Sequence, residues 1–298
     1  MINKGPSIRT FSNDTEMINH INQISGNSFA TIADALTWVN GQNDYYIQNR
    51  DVGFVTTDGL VFNVDAGQVS SFPKGGTTWY DLSVNSNNGT LTNGPTYSTN
   101  GGGSISFDSL DDTVLFTDVP INTTLGEGNT VDQWLYWDGL TSEMSFTWGV
   151  GSNLALFFGT SAFGFNNGSS LLYGIPFDDL SNKWLHVTAF FPSDWSAVTY
   201  QDAKLYINGV KQDISIFEGA LRTRTLTSPT NVNISGSFNS IGDIVFGGDI
   251  ALTRIWNREL TDEEVYLNYL GSVNRFYNWI LASGNWDDSS IWVDEETW

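Results

Sequence analysis

Cysteine is missing from the 298 residues, and histidine nearly so, with only His20 and His186. The first absence excludes disulfides and thiolate metal sites, and the second leaves little scope for imidazole catalysis or a histidine-held zinc. Basic residues are scarce too, 12 Lys and Arg against 33 Asp and Glu, for a net charge of −21. A field of that sign repels phosphate backbones, so direct nucleic-acid binding is not expected. No apolar run reaches the length of a membrane span, and the opening Met-Ile-Asn-Lys-Gly-Pro has no signal-like apolar segment. The expectation is a protein made in a cytoplasm and acting away from membranes.

Aromatic residues are plentiful: 19 Phe, 12 Trp and 11 Tyr in a chain that is 40% apolar, enough for a sizeable core. The 30 Gly, with many Asn, Ser and Thr, suit short strands joined by tight turns. The stretch Gly59-Leu-Val-Phe-Asn-Val-Asp-Ala-Gly67 alternates at strand period with one buried face. Strand periods continue from there to about Gly271, with breaks at Asn88-Gly89, Asn93-Gly94, Asn167-Gly168, Asn208-Gly209 and Gly247-Gly248. Asn93-Gly94 reads as a hairpin turn, and so does Gly101-Gly-Gly103. Thr261-Asp-Glu-Glu264 is a capping box that starts a late helix, with Val265, Tyr269 and Leu270 facing inward.

The two ends differ from this middle. In residues 1–52, Met17, Ile18, Ile21 and Ile24, then Phe29, Ile32, Leu36 and Val39, fall at helical spacing. In residues 272–298, Trp286, Trp292 and Trp298 lie six apart among acidic residues, on one face of an extended strand. They read as a clamp that holds an edge strand, with an aromatic platform as the alternative. The predicted architecture is all-β: a two-sheet antiparallel jelly-roll sandwich over 58–271, with a small N-terminal helical extension and a Trp-rich C-terminal tail.

Several stretches are similar to a known family. Gly59 to Gly67, Trp79-Tyr-Asp-Leu-Ser83, Asn88 to Tyr97 and Gly102-Gly-Ser-Ile-Ser-Phe-Asp108 resemble the opening of laminin-G-like domains of the concanavalin A-like lectin/glucanase superfamily. Lys183-Trp-Leu-His-Val-Thr188 and Lys204 to Val210 resemble its Trp-x-His-Val strand and following hairpin, and Ile250 to Glu264 its last strand and closing helix. The long Asn/Gly/Thr loop is similar to domains found in structural proteins of bacterial viruses. The resemblance implies carbohydrate or protein recognition. It points to a non-enzymatic virion component, a capsid decoration or a part of a tail, fibre or baseplate, that attaches to host-surface polysaccharide. Residues 1–52 would then join other virion proteins, in a homo-oligomer assembled in the host cytoplasm. A free lectin module and a divergent glycosidase are the alternatives.

The chemistry expected is accordingly sparse. The Glu-x-Asp-x-x-Glu string of the glucanase branch is missing; Glu143 and Glu218 stand alone, and Asp111-Asp112 and Asp178-Asp179 read as turn residues. His186 sits in an apolar strand and reads as a core or rim side chain. No cofactor is expected, with calcium as the alternative: by resemblance an ion at the sandwich rim would take ligands near Asp108 and at the start of the last strand, where Asp249 would substitute. The family's Gly after Asp108 is Ser109, and its Asp-Glu in the last strand is Ala251-Leu252. For sugar binding the candidates are Trp134, Trp137 and Trp195, with the core as each one's plainer destination.

Overall fold

The computed structural model describes residues 55–276, apart from 150–153, 168–171, 178, 228–229 and 237–243, together with positions 22, 28 and 30. The chain divides into two units, residues 1–54 and 55–298. The helical reading of 1–52 and the Trp-rich stretch beyond Phe276 lie outside the described residues.

Strand β1 (Leu60–Asp65) leads through a polar loop to β2 (Thr78–Trp79). Then β3 (Gly89–Thr92), β4 (Thr96–Ser98), β5 (Ser104–Asp108) and β6 (Thr113–Phe116) follow at short intervals. The middle of the chain supplies β7 (Gly128–Trp137), β8 (Glu143–Trp148), β9 (Ala155–Phe158), β10 (Ala162–Asn166) and β11 (Leu172–Pro176). Next come β12 (Trp184–Pro192), β13 (Asp194–Trp195), β14 (Lys204–Ile207), β15 (Val210–Lys211), β16 (Ser215–Glu218), β17 (Arg224–Thr225) and β18 (Val232–Ile234). The long β19 (Gly247–Trp256) precedes helix α1 (Asp262–Phe276), which runs into the stretch read as tail. Among the described residues no helix is long and apolar enough to cross a membrane.

The strands form two large antiparallel sheets. One has the order β15-β14-β12-β7-β19-β5-β4, and β1 pairs with the second half of β19, on the flank where β5 takes the first half. The other runs β16-β11-β10-β9-β8-β18-β6-β3-β2, and β13 pairs with β17 apart from both. The turn Asn93-Gly94 therefore does not close a hairpin: β3 belongs to the second sheet and β4 to the first. The turn residues are as read, but the chain uses them to change sheets. Gly101 to Gly103 does join the paired β4 and β5.

Strand alternation decides what lies between the sheets. In β7, Val131, Leu135 and Trp137 enter the main core with Phe146, Trp148, Phe158, Phe165 and Phe191. The alternate Trp134 lies on the other face, in a second cluster with Ala251, Leu252, Val273 and Phe276. A register shift between Ile250 and Leu252 puts the adjacent Ala251 and Leu252 together in that cluster, where α1 covers them.

Two polar structures fix the frame. Asp81 accepts from the amides of Asn63, Ser83 and Asn87 at 2.9 Å and from Ser83 Oγ at 2.7 Å. The Trp-Tyr-Asp-Leu-Ser motif thus ties the Asn/Gly loop to β1. At α1 the capping box is formed: Thr261 N donates to Glu264 Oε2 at 2.9 Å, and Glu264 N to Thr261 Oγ1 at 3.2 Å. Arg258 forks onto the same carboxylate at 2.7 and 3.0 Å and holds Glu264 down at about 2. Val265 and Leu270 are buried, as read.

Candidate functional site

The three tryptophans named as sugar-binding candidates, with the core as their plainer destination, are all buried. Trp134 stacks on Phe276 at 4.0 Å between ring centroids, and its Nε1 donates to Ser272 Oγ at 2.7 Å. Trp137 stacks on Phe158 at 4.4 Å and donates to the carbonyl of Leu140. Trp195 packs beside Phe165 at 5.5 Å, with no exposed surface. None offers a ring face to a ligand. Their burial fills a wide sandwich and the roof that α1 lays on its first sheet.

His186 is buried as well. Its Nε2 lies 2.6 Å from Asp132 Oδ1, and that oxygen accepts from Thr188 Oγ1 at 2.8 Å. Thr188, Asp132 and Arg254 face one another across β12, β7 and β19. Burial pushes the Asp132 carboxyl up, but His186, Arg254 and Thr188 outweigh it and hold the group below the usual carboxylate range. This is a closed structural cluster and has no opening to a substrate.

The structure does not bring Asp108 and Asp249 into one ligand set. Asp108 pairs with Gly247 and Asp249 with Ser106, on neighbouring strands. Asp249 Oδ2 accepts from Asn100 Nδ2 at 2.9 Å. Asp108 instead joins Asp111 and Asp112, and one carboxylate oxygen from each lies within 4.8 Å of the others. Burial, with Asp108 beside it, pushes Asp112 up to about 6, and its Oδ1 is buried with no hydrogen-bond partner. Among the described residues these three acids are the ones that could hold a hard cation. Near the last strand the residues do not fit calcium. Ala251 and Leu252 are buried apolar side chains. Arg275 fills the adjoining oxygen cradle, donating to Asp65 Oδ1 at 2.5 Å, to the Gly101 carbonyl at 2.7 Å and to the Gly103 carbonyl. A Cβ at Gly67 would lie 2.4 Å from Arg275 Nη2, so glycine there makes room for the guanidinium. Beyond the Asp108 cluster, Glu143 is buried and pushed up to about 7, its Oε2 accepting from Gly247 N at 3.0 Å.

An open, polar concavity lies elsewhere among the described residues. A groove of about 380 Å³ is built from several separate segments. Gly126 and Glu127 come from the loop before β7, Phe190 and Pro192 from the end of β12, and Asp194 from β13. Thr199, Gln201, Asp202 and Lys204 lead into β14, and Glu259 precedes α1. Its walls are tied together. Ser193 N donates to the Glu127 carbonyl at 2.9 Å, and Gly126 N to Asp194 Oδ1 at 3.1 Å. Asn122 and Asn129 exchange hydrogen bonds at 2.7 and 2.8 Å beneath the loop, and Lys204 is ion-paired to Glu259. A Cβ at Gly128 would lie 2.5 Å from the Phe190 ring, so glycine lets that ring pack beside β7. Leu125 and Val198, next in the chain to lining residues, are 68% and 82% exposed. The arrangement offers fixed hydrogen-bonding groups in a shaped opening with apolar side chains beside it, which suits a polar ligand with hydrophobic faces. No local sequence signal marks this groove, because the lining residues are single polar side chains far apart in the chain.

A sequence profile described as the concanavalin A-like lectin/glucanases superfamily matches residues 107–266, more than half of the chain. The protein belongs to that superfamily. A search of curated proteins gives no match. Among solved structures, domain 4 of AbnA, a GH43 extracellular arabinanase from Geobacillus stearothermophilus in complex with arabinotriose, is 14% identical with a TM-score of 0.48. The alignment covers 70% of this chain and 96% of that one. The binding domain of Paraclostridial Mosquitocidal Protein 1 is 16% identical with a TM-score of 0.49, covering 71% of this chain and 52% of that chain. Trypanosoma rangeli sialidase in complex with sialic acid is 13% identical with a TM-score of 0.45, covering 74% of this chain and 34% of that one. This chain thus spans only about half of the toxin domain and a third of the sialidase.

Proposed function

We propose that this protein is a non-enzymatic, glycan-recognising jelly roll that binds its ligand in the groove between the loop at Glu127 and the stretch from Asp194 to Lys204. The observation that carries the reading is the groove itself. It is a cavity of about 380 Å³ with polar side chains on hydrogen-bonded walls, in a superfamily described by its lectins and glucanases. Sugars present hydroxyl donors around apolar ring faces, which match the lining acids and amides and the neighbouring Phe190, Leu125 and Val198. We propose further that the domain is carried by a virion structural protein and attaches the particle to host-surface polysaccharide. The support is the long Asn/Gly/Thr loop, which is similar to domains found in structural proteins of bacterial viruses.

Two measurements test these readings. On a broad glycan array the full chain is expected to bind a restricted set and to leave it chemically intact. A blank array would sink the recognition reading, and product release would replace it with a glycosidase. Mass spectrometry of purified virus particles is expected to find the chain at fixed stoichiometry. Its absence from particles would leave a free lectin.

A further inference from the structure

The groove's lining is strongly one-sided in charge. Four carboxylates contribute to it, those of Glu127, Asp194, Asp202 and Glu259, against the single ammonium of Lys204 among the described lining residues. That is a formal charge of −3 in one opening, on a chain that carries −21 overall. Lys204 is already ion-paired to Glu259 and is poorly placed to answer an acid brought by a ligand.

Ionised carboxylates accept hydrogen bonds and donate none, so further donors to these four acids have to come from whatever enters. A hydroxylated sugar supplies neutral donors. A protonated amine supplies three donors and a compensating charge on one atom, and field lines focused in a cleft strengthen its pull. A uronate or a sialate would instead bring a fifth carboxylate among the four present, a repulsive element of the kind that sets specificity. One of these carboxylates is itself fixed, and the backbone beside a second is tied to the facing segment. Asp194 Oδ1 takes the Gly126 amide, and the Glu127 backbone is tied to Ser193, so the walls cannot readily splay to relieve the charge.

We infer that the groove selects glycans bearing a free amine, of the deacetylated hexosamine class, over their N-acetylated counterparts, and that it rejects acidic glycans. The inference rests on the glycan-recognition reading above and names its ligand class. It is tested by calorimetric titration of the full chain with three trisaccharides: a glucosamine trimer, an N-acetylglucosamine trimer and a galacturonic acid trimer. Titrations are made at low salt and again at about 0.3 M NaCl. The glucosamine trimer is expected to bind about tenfold more tightly than the acetylated one, with the gap narrowing in salt and in an Asp202→Asn variant. The galacturonate is expected to give no binding. Equal affinity for the amine and the acetylated trimer, or galacturonate binding as well as either, overturns this inference and leaves the recognition reading standing. Failure of all three, together with a blank array, overturns the recognition reading itself.

Discussion

Asp132 and Glu143 are both buried acids, yet their surroundings push them in opposite directions, and the pH dependence of stability separates the two. Asp132 is held low against its own burial by His186 and Arg254, so the fold favours its charged form. Its contribution is complete above the usual carboxylate range and is lost as the pH falls through the depressed value. Asp132→Asn leaves His186 and Arg254 buried beside a neutral amide. It is expected to lower stability at neutral pH by about 3–5 kcal/mol and to flatten the acid limb of the profile. Glu143 is pushed up to about 7 by burial, so ionisation opposes the fold. Stability should therefore rise as the pH falls from above 7 toward the unfolded value near 4.5, at up to about 1.4 kcal/mol per pH unit. Glu143→Gln should remove that slope, and a urea-denaturation series from pH 4.5 to 8.5 reads it. A variant profile parallel to that of the native chain would contradict the assignment. At this scale the sequence was legible where chemistry was local: His186 reads as a core or rim side chain, and it is buried. The tryptophans were less legible. The period of β7 separates Trp134 from Trp137 by face, but it cannot say that α1 roofs the second face.

The elements that join distant parts of the chain are where local signals did best. Thr261 and Glu264 announce α1, and the capping box forms as the spacing requires. Thr261→Ala should lower stability by about 1 kcal/mol, measured by chemical denaturation. The other end of α1 is harder to read, because Arg275 finds its acceptors some 170 to 210 residues earlier, at Gly101, Gly103 and Asp65. Arg275→Ala is expected to destabilise by about 2 kcal/mol or more, since Asp65 and two carbonyls lose a shared donor. A change within about 0.5 kcal/mol would show that the cradle contributes little. Asn93-Gly94 shows the limit from the other side. Its residues specify a turn with positive φ at both positions, and both adopt it. The sheet that the next strand joins is set by long-range pairing, which two residues do not encode.

Over the whole molecule, the motifs that carry the family resemblance are the ones that build the frame: the Asp81 loop, the Trp-x-His-Val strand β12, the last strand and its helix. They were legible together because each has its own local chemistry. The groove was not, since Glu127, Asp194, Asp202, Lys204 and Glu259 are far apart in the chain and meet only in the folded structure. Among the described residues, Trp134, Trp137 and Trp195 went into the core, the plainer of their two readings, and polar loops line the groove. Hydrogen exchange of the full chain, with and without the strongest glycan from the array, tests that division most directly. Recognition at the groove should add protection in residues 124–127, 192–204 and 257–260, and leave the rim around Asp108–Asp112 and Glu143 unchanged. Protection confined to that acidic rim, with the groove segments unaltered, would contradict the account.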